Sequence, residues 1–318
     1  MSCVARNSAT YIKISEYLHI GNMSKYIAIA NLKGGTGKTT IAVMLSYSLA
    51  KLGHRVILID FDPQASATAI FFRGLKFEKH LGTYIGISAR RQFHPYPPED
   101  EDIFQRKGVG NLKIFPSTTS VFTDAWSIAY SYPDPETVAS WLRGEPVLRR
   151  SFDYVVIDCP PDPNFARIGV KASDVLIIPS DDTALSLHGT KEFISKIFIH
   201  EVLVKKHEIK LLGIVFNKIR FIKKSPTKSF QKIKNELRSY VYNLVSERTE
   251  IKDFIYNDPI FNTVIPFRKT HLNDIVLFNK DKRSKCKIPK IYDLMEDVFR
   301  NLAIEVINRI NYFKGVKI

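Results

Sequence analysis

At 318 residues, with 45% hydrophobic and 25% charged side chains, the chain can bury one large core or two modest ones and reads as globular rather than disordered or fibrous. Its three cysteines, Cys3, Cys159 and Cys286, are odd in number, far apart and form no CxxC pair, which argues against a disulfide framework or a thiolate metal site and for a reducing compartment. The formal net charge of +15 is uneven: 25 Lys and Arg stand against 13 Asp and Glu from Glu201 onward, and 22 against 19 before it. A basic C-terminal third calls for a polyanionic partner, either nucleic acid or an anionic membrane surface.

In chain order, residues 1–22 form an extension with a short amphipathic run, "YIKISEYLHI", to which no function is assigned; Met23-Ser24-Lys25 would make a natural start. The N-terminus lacks the basic, apolar, small-residue order of a secretory signal, and no apolar run approaches the roughly 18 residues of a membrane span. A soluble, cytoplasmic protein is expected. From residue 23 to 318 a single domain is expected. Short apolar runs at 26–30, 55–60, 112–115, 153–158, 174–180, 211–218 and 262–266 read as strands. They are almost continuously apolar, as parallel strands covered on both faces must be. Helical patterns at 38–52, 187–206, 228–247 and 290–311 alternate with them. The alternation predicts an α/β fold with a doubly wound, mostly parallel sheet and helices on both faces. The irregular stretch 73–111 reads as a surface excursion.

Between the first strand and the first helix lies "NLKGGTGKTT", Asn31 to Thr40. Gly34, Gly35 and Gly37 free the backbone to aim successive N–H groups at phosphate oxygens, and the helix N-terminus adds partial positive charge. Lys38 would reach the β- and γ-phosphates, Thr39 would ligate Mg²⁺, and Thr40 would bond the α-phosphate. The usual G-x-x-x-x-G-K-[ST] pattern fails at its first glycine, where Leu32 stands, and an additional cation, Lys33, precedes the glycines. "KGGTGKTT" (Lys33, Gly34, Gly35, Thr36, Gly37, Lys38, Thr39, Thr40) resembles the deviant Walker A motif of the ParA/MinD family of ATPases. The resemblance implies the P-loop NTPase fold, ATP and Mg²⁺ as ligands, hydrolysis to ADP and phosphate, and a nucleotide-sandwich homodimer in which Lys33 reaches the partner's ATP.

Further segments are similar to the same family. "LIDFDPQASAT" (58–68) resembles its switch I element, which implies that Asp62 positions the attacking water and that Asp60 supports the metal region. "YVVIDCPP" (154–161) resembles the Walker B strand, with Asp158 holding Mg²⁺ through a water and Cys159 a buried small residue. "LLGIVFNKI" (211–219) and "NTVIPFRKTHLND" (262–274) resemble the elements flanking the base, implying Asn217, Pro266 and Phe267 as adenine contacts. "NLKIFPSTTSV" (111–121) and "VLIIPSDDTALSLHGTKEFI" (175–194) also resemble family segments, so the likeness runs from about residue 25 to the C-terminus. "DPNFA" (162–166) and Asp181-Asp182 depart from the family pattern, which leaves the partner-sensing details open.

Within the family, the cysteines do not fit an iron–sulfur protein, one loop rather than two does not fit arsenite-pump ATPases, and Tyr312 alone is no terminal tyrosine cluster. Two readings remain. A MinD-like positioning ATPase would use residues 291–313 as a membrane helix, with a stripe of Leu294, Val298, Leu302, Val306 and Ile310. The acidic residues Asp293, Glu296, Asp297 and Glu305 dilute its basic face, so a helix packed on the sheet is the expectation and membrane binding is not. A ParA-type DNA-segregation ATPase fits the basic excess: Lys218, Arg220, Lys223, Lys224, Lys228, Lys232, Lys282, Arg283 and Lys285 are the candidate contacts to nonspecific double-stranded DNA. The resemblance then implies stimulation by a ParB-like centromere-binding protein and a nucleoid-associated location.

Overall fold

The computed structural model describes residues 23–71, 110–117, 135–223, 225–267 and 290–315, without the side chains of 135, 137 and 290–294. Along the chain these form β1 (Lys25–Ile29), α1 (Lys38–Lys51), β2 (Val56–Asp60), α2 (Ser66–Phe71), β3 (Leu112–Phe115), α3 (Pro135–Gly144), α4 (Pro146–Ser151) and β4 (Tyr154–Asp158). There follow α5 (Pro163–Ala172), β5 (Val175–Ser180), α6 (Ala184–Phe193), which runs through a π turn (Ile194–Phe198) into α7 (Ile199–Leu203), and β6 (Lys210–Ile219). A two-residue hairpin pair, β7 (Phe221–Ile222) and β8 (Ser225–Pro226), precedes α8 (Lys228–Glu247), a 3₁₀ turn (Thr249–Phe254), β9 (Ile260–Pro266) and α9 (Lys290–Phe313).

The principal sheet has seven strands in the order β3-β2-β4-β1-β5-β6-β9, and every neighbouring pair is parallel. All seven expected strands are present. The chain steps outward from β1 to β2 and β3, returns to β4, then leaves on the other side through β5. The direction reverses at β1 and β4, and a doubly wound sheet opens its ligand crevice beyond the carboxyl ends of such strands. Strand alternation divides the core into two layers. Ile27, Ile29, Val56, Leu58, Val156 and Ile177 pack with α1 and α9, while Ala28, Ile57, Ile59, Val155, Ile157 and Leu176 pack on the other face with α3, α5, α6 and α8.

Helix α1 is buried nearly all round, from Ile41 to Ala50, because it lies between the sheet and α9. That position explains a helix with little amphipathic contrast. α9 turns Met295, Phe299, Leu302, Ala303, Val306 and Ile310 into the same layer. The expected i+4 row drifts by about 40° per step at 3.6 residues per turn, so Met295 and Phe299 carry the upper part of the seam, and Val298 is only half-buried. The Leu294 side chain lies outside the described residues. The face that a membrane helix would present is thus engaged by the sheet. Among the described residues no helix is long and apolar enough to cross a membrane.

Arg309 on the same helix is only 1% exposed. Its Nη1 donates to the carbonyls of Leu212 and Asp258 at 2.6 and 2.9 Å; Nη2 donates to that of Ile260 at 2.7 Å and to Glu305 at 2.8 Å. The guanidinium lies between the rings of Tyr256 and Phe261. Glu305 in turn accepts the Asn262 and Thr263 N–H groups at the start of β9. Arg309→Met should therefore destabilise the protein by about 3–5 kcal/mol, the usual result of removing one member of a buried ion pair. A urea midpoint within error of the parent would show that the clamp does not bear on stability.

Candidate nucleotide site

The loop after β1 is built by its neighbours. Asn31 is fully buried: its Nδ2 donates to Pro179 O at 2.7 Å and Thr190 Oγ1 at 3.1 Å, and its Oδ1 accepts the Lys33 N–H at 3.1 Å. Leu32, where an ordinary loop has glycine, is half-buried against the core layer of α5 and α6. Its side chain anchors the loop, and the glycines that shape the cradle come later. Gly35 and Gly37 have φ of +79° and +91°, in the left-handed region that favours glycine. At Gly37 a Cβ would also lie 1.9 Å from Asn217 Nδ2, so the position excludes any side chain. Gly37 is the N-cap of α1, and no side chain caps that helix. Its first N–H groups stay available to an anion.

Two cations stand in the loop. Lys38 is buried, and its Nζ donates to Lys33 O at 3.0 Å. Burial holds it below the usual lysine range, opposed by the charges of Asp158 and Asp62. The Lys33 ammonium meets no acceptor among the described residues, although its backbone is fixed and Gly189 packs so closely that a Cβ there would lie 3.1 Å from Lys33 Cβ.

Three carboxylates face this loop. The register pairs Asp60 with Asp158 and Asp158 with Ile29, which sets the two acids side by side at the strand ends. Asp60 is fully buried and accepts both the N–H and the hydroxyl of Thr68 at 2.7 Å, and the Asp62 N–H at 3.2 Å. Burial pushes it up to about 7 against the pull of those hydrogen bonds. Asp158 is also fully buried, and neither oxygen has a hydrogen-bond partner. Burial first, and the Asp60 charge second, push it well above the usual carboxylate range; the Thr39 hydroxyl eases this electrostatically without reaching hydrogen-bond geometry. Asp62 is half-buried and accepts the Gln64 N–H at 2.9 Å. Cys159 is fully buried beneath Gly169, and burial pushes its thiol up, so it is an inert core residue.

This donor set fits a hard divalent cation with a nucleotide. An orphaned buried carboxylate beside a hydroxyl, Asp158 beside Thr39, supplies oxygen ligands of the kind Mg²⁺ takes. Among the described residues no cluster of three or more His, Cys, Asp or Glu side chains could hold an ion unaided, so phosphate oxygens would complete the shell.

The expected adenine contacts come together at the carboxyl ends of β6 and β9. Ile219 pairs with Pro266, and the Phe267 N–H donates to Ile219 O at 2.8 Å. Asn217 is buried; its Nδ2 donates to Thr36 O at 3.0 Å and its Oδ1 accepts the Lys218 N–H at 2.9 Å. It therefore braces the phosphate loop. Of the expected DNA contacts, Lys218 donates to Gly35 O at 2.7 Å and Arg220 lies over the Phe267 ring. Lys223, Lys228 and Lys232 are exposed. Lys224, Lys282, Arg283 and Lys285 lie outside the described residues. Sequence reasoning missed Asn31, Thr68 and Gly189 as supports of the site. Only Thr68 had a readable signal, a hydroxyl in the first turn of a helix eight residues beyond Asp60.

The AAA domain family matches residues 24–211. Over 233 residues the chain is 29% identical to the sporulation initiation inhibitor protein Soj of Bacillus subtilis, covering 71% of this chain and 85% of that one. The structure of pNOB8 ParA bound to nonspecific DNA superposes with a TM-score of 0.67 at 23% identity, covering 91% of this chain and 99% of that one. The septum site-determining protein MinD complexed with Mg-ADP from Pyrococcus horikoshii gives a TM-score of 0.61 at 19% identity, covering 93% and 100%. With its parallel sheet and the phosphate loop at the switch point, the chain belongs to the AAA domain family as a ParA-type ATPase.

Proposed function

We propose that the chain is a DNA-partitioning ATPase whose ATP-bound sandwich dimer binds DNA without sequence preference and releases it on hydrolysis, stimulated by a ParB-like centromere-binding protein. Residues 23–318 act as one ATPase domain in this reading, associated with the nucleoid. The observation that carries it is Lys33: its backbone is fixed in the loop while its ammonium meets no acceptor among the described residues. A cation so placed suits the phosphates of a second subunit's nucleotide.

Within each subunit Gly34 to Thr40 bind the phosphates through backbone N–H groups, Lys38 exchanges Lys33 O for a phosphate oxygen, and Thr39 with Asp158 would hold Mg²⁺. Bound there, the ion would neutralise charge on the β- and γ-phosphates. Asp62 orients the attacking water, and Asp60, tied to Thr68, fixes the turn that carries Asp62. Pro266 and Phe267 flank the base, with Asn217 holding the loop beneath it.

The exposed cations Lys223, Lys228 and Lys232 are the DNA face. α8 buries Phe230, Ile233, Leu237, Val241 and Leu244 inward, which leaves Lys228 and Lys232 one turn apart on its outer side. Lys228→Glu/Lys232→Glu should lower the slope of log affinity on log salt by about two, one per lost phosphate contact, with ATP affinity held. The measurement is DNA binding over a salt series, with and without ATP. A parental slope would remove α8 from the interface, and ATP-independent binding would overturn the dimer switch.

A further inference from the structure

At the opposite, amino-terminal edge of the sheet lies a cavity of about 590 Å³, whose lining includes Lys25, Tyr26, Arg143, Arg149, Asp174 and Lys314. The phosphate loop leaves the far end of β1, so roughly 16 Å of strand separates the two sites.

The cavity's charge is unbalanced, with four cations around one carboxylate. Asp174 is already engaged: it accepts the Tyr26 N–H at 2.9 Å, pairs with Arg143 at 3.2 Å and stands 3.9 Å from the Lys25 ammonium. Arg149 donates to the Met23 thioether at 2.8 Å, a weak acceptor for a full charge. Burial holds Lys25 below the usual lysine range, and Lys314, Arg143 and Lys210 add repulsion that Asp174 opposes. A contiguous cavity of about 440 Å³ shares Lys25, Arg143, Asp174 and Lys314, and adds Lys171, Lys206 and Lys210 against Glu136 and Glu208. Lys171 is paired with Glu136 at 2.5 Å. The chain's own residues 1–22 do not balance the excess, since they carry Arg6 and Lys13 against Glu16.

We propose that this edge is a second anion site, which takes a small multivalent phosphate such as pyrophosphate or a phosphate ester. The volume lies in the range of small-molecule pockets. Two guanidinium forks and two ammonium groups match the geometry and charge of phosphate oxygens.

The test titrates inorganic pyrophosphate into the full chain preloaded with ADP, so that the phosphate loop is filled, and repeats this with Arg143→Gln/Arg149→Gln. One further equivalent is expected to bind, at least tenfold more weakly in the double variant, with ADP affinity unchanged. Arg248→Gln/Lys252→Gln, which removes the same charge from an exposed surface, should leave pyrophosphate binding as in the parent. Lys314→Gln, which leaves the Asp174 contacts intact, should weaken it in the same sense and stands in if the double variant unfolds. No binding to the ADP-loaded chain, equal weakening by the control, or tighter capture of a polyglutamate peptide than of pyrophosphate would each overturn the assignment.

Discussion

Asp62→Ala is expected to lower ATP turnover about 10²–10⁴-fold, the range for losing a positioned general acid–base group, while ATP affinity stays within about threefold of the parent. The residue is placed for this without being buried. Its N–H is held by Asp60 at 3.2 Å, its Oδ1 accepts the Gln64 N–H at 2.9 Å, and its carbonyl accepts the Ala65 N–H at 2.8 Å. The backbone is thus fixed by two local bonds and the side chain oriented by a third, and Oδ2 is left to accept a hydrogen bond from water. Truncation at Cβ removes both carboxylate oxygens and leaves the Asp60 contact in place. ATP-loaded dimers should therefore accumulate on size-exclusion chromatography. Parental turnover would remove Asp62 from the reaction; matched losses of turnover and affinity would make it a structural support of the loop.

The strands and the phosphate loop were legible because each rests on a local rule. Continuous apolar runs mark strands buried on both faces, and glycines before a Gly-Lys-Thr mark a phosphate cradle. α8 was read to the residue, at 228–247, since Thr227 caps it and its inner face repeats at helical spacing. Four helices were passed over: the short α2, and three that each open with an acid followed by proline, Asp134-Pro135, Glu145-Pro146 and Asp162-Pro163. At the last two the acid is the N-cap, accepting the Val147 N–H, and the Asn164 and Phe165 N–H groups. The signal was there, but proline reads first as a break. What the sequence could not disclose was long-range. Arg309 looks like a surface cation until β6, β9 and the 256–258 turn close around it. Asn217, expected beside the base, also holds Thr36, 181 residues away, a contact that only the assembled sheet creates.

The same long-range assembly creates the second large effect, at Asp158. A fully buried carboxylate with no hydrogen-bond partner, beside Asp60, is a standing cost to the nucleotide-free fold. Both acids are raised above their unfolded values, Asp60 to about 7. From about pH 4 upward the folded state therefore keeps protons that the unfolded state releases. Stability is full below the unfolded carboxylate range and falls as pH rises through the folded values, by up to about 1.4 kcal/mol per pH unit for each proton retained. Asp158→Asn removes one of the two ionisations and the repulsion between them. Without nucleotide or metal, the variant should melt about 2–6 °C above the parent at pH 8, with a shallower decline of midpoint from pH 5 to 8. Mg²⁺ with ADP should reverse the order. In the proposed site the ion would pair with ionised Asp158, so the parent should gain midpoint on ligand addition, most at high pH, and the variant should gain little. Thermal melts at four pH values, with and without Mg-ADP, read both effects. An unchanged pH slope in the variant would show that Asp158 does not titrate in this range, and an unchanged gain from Mg-ADP would place the metal on other ligands.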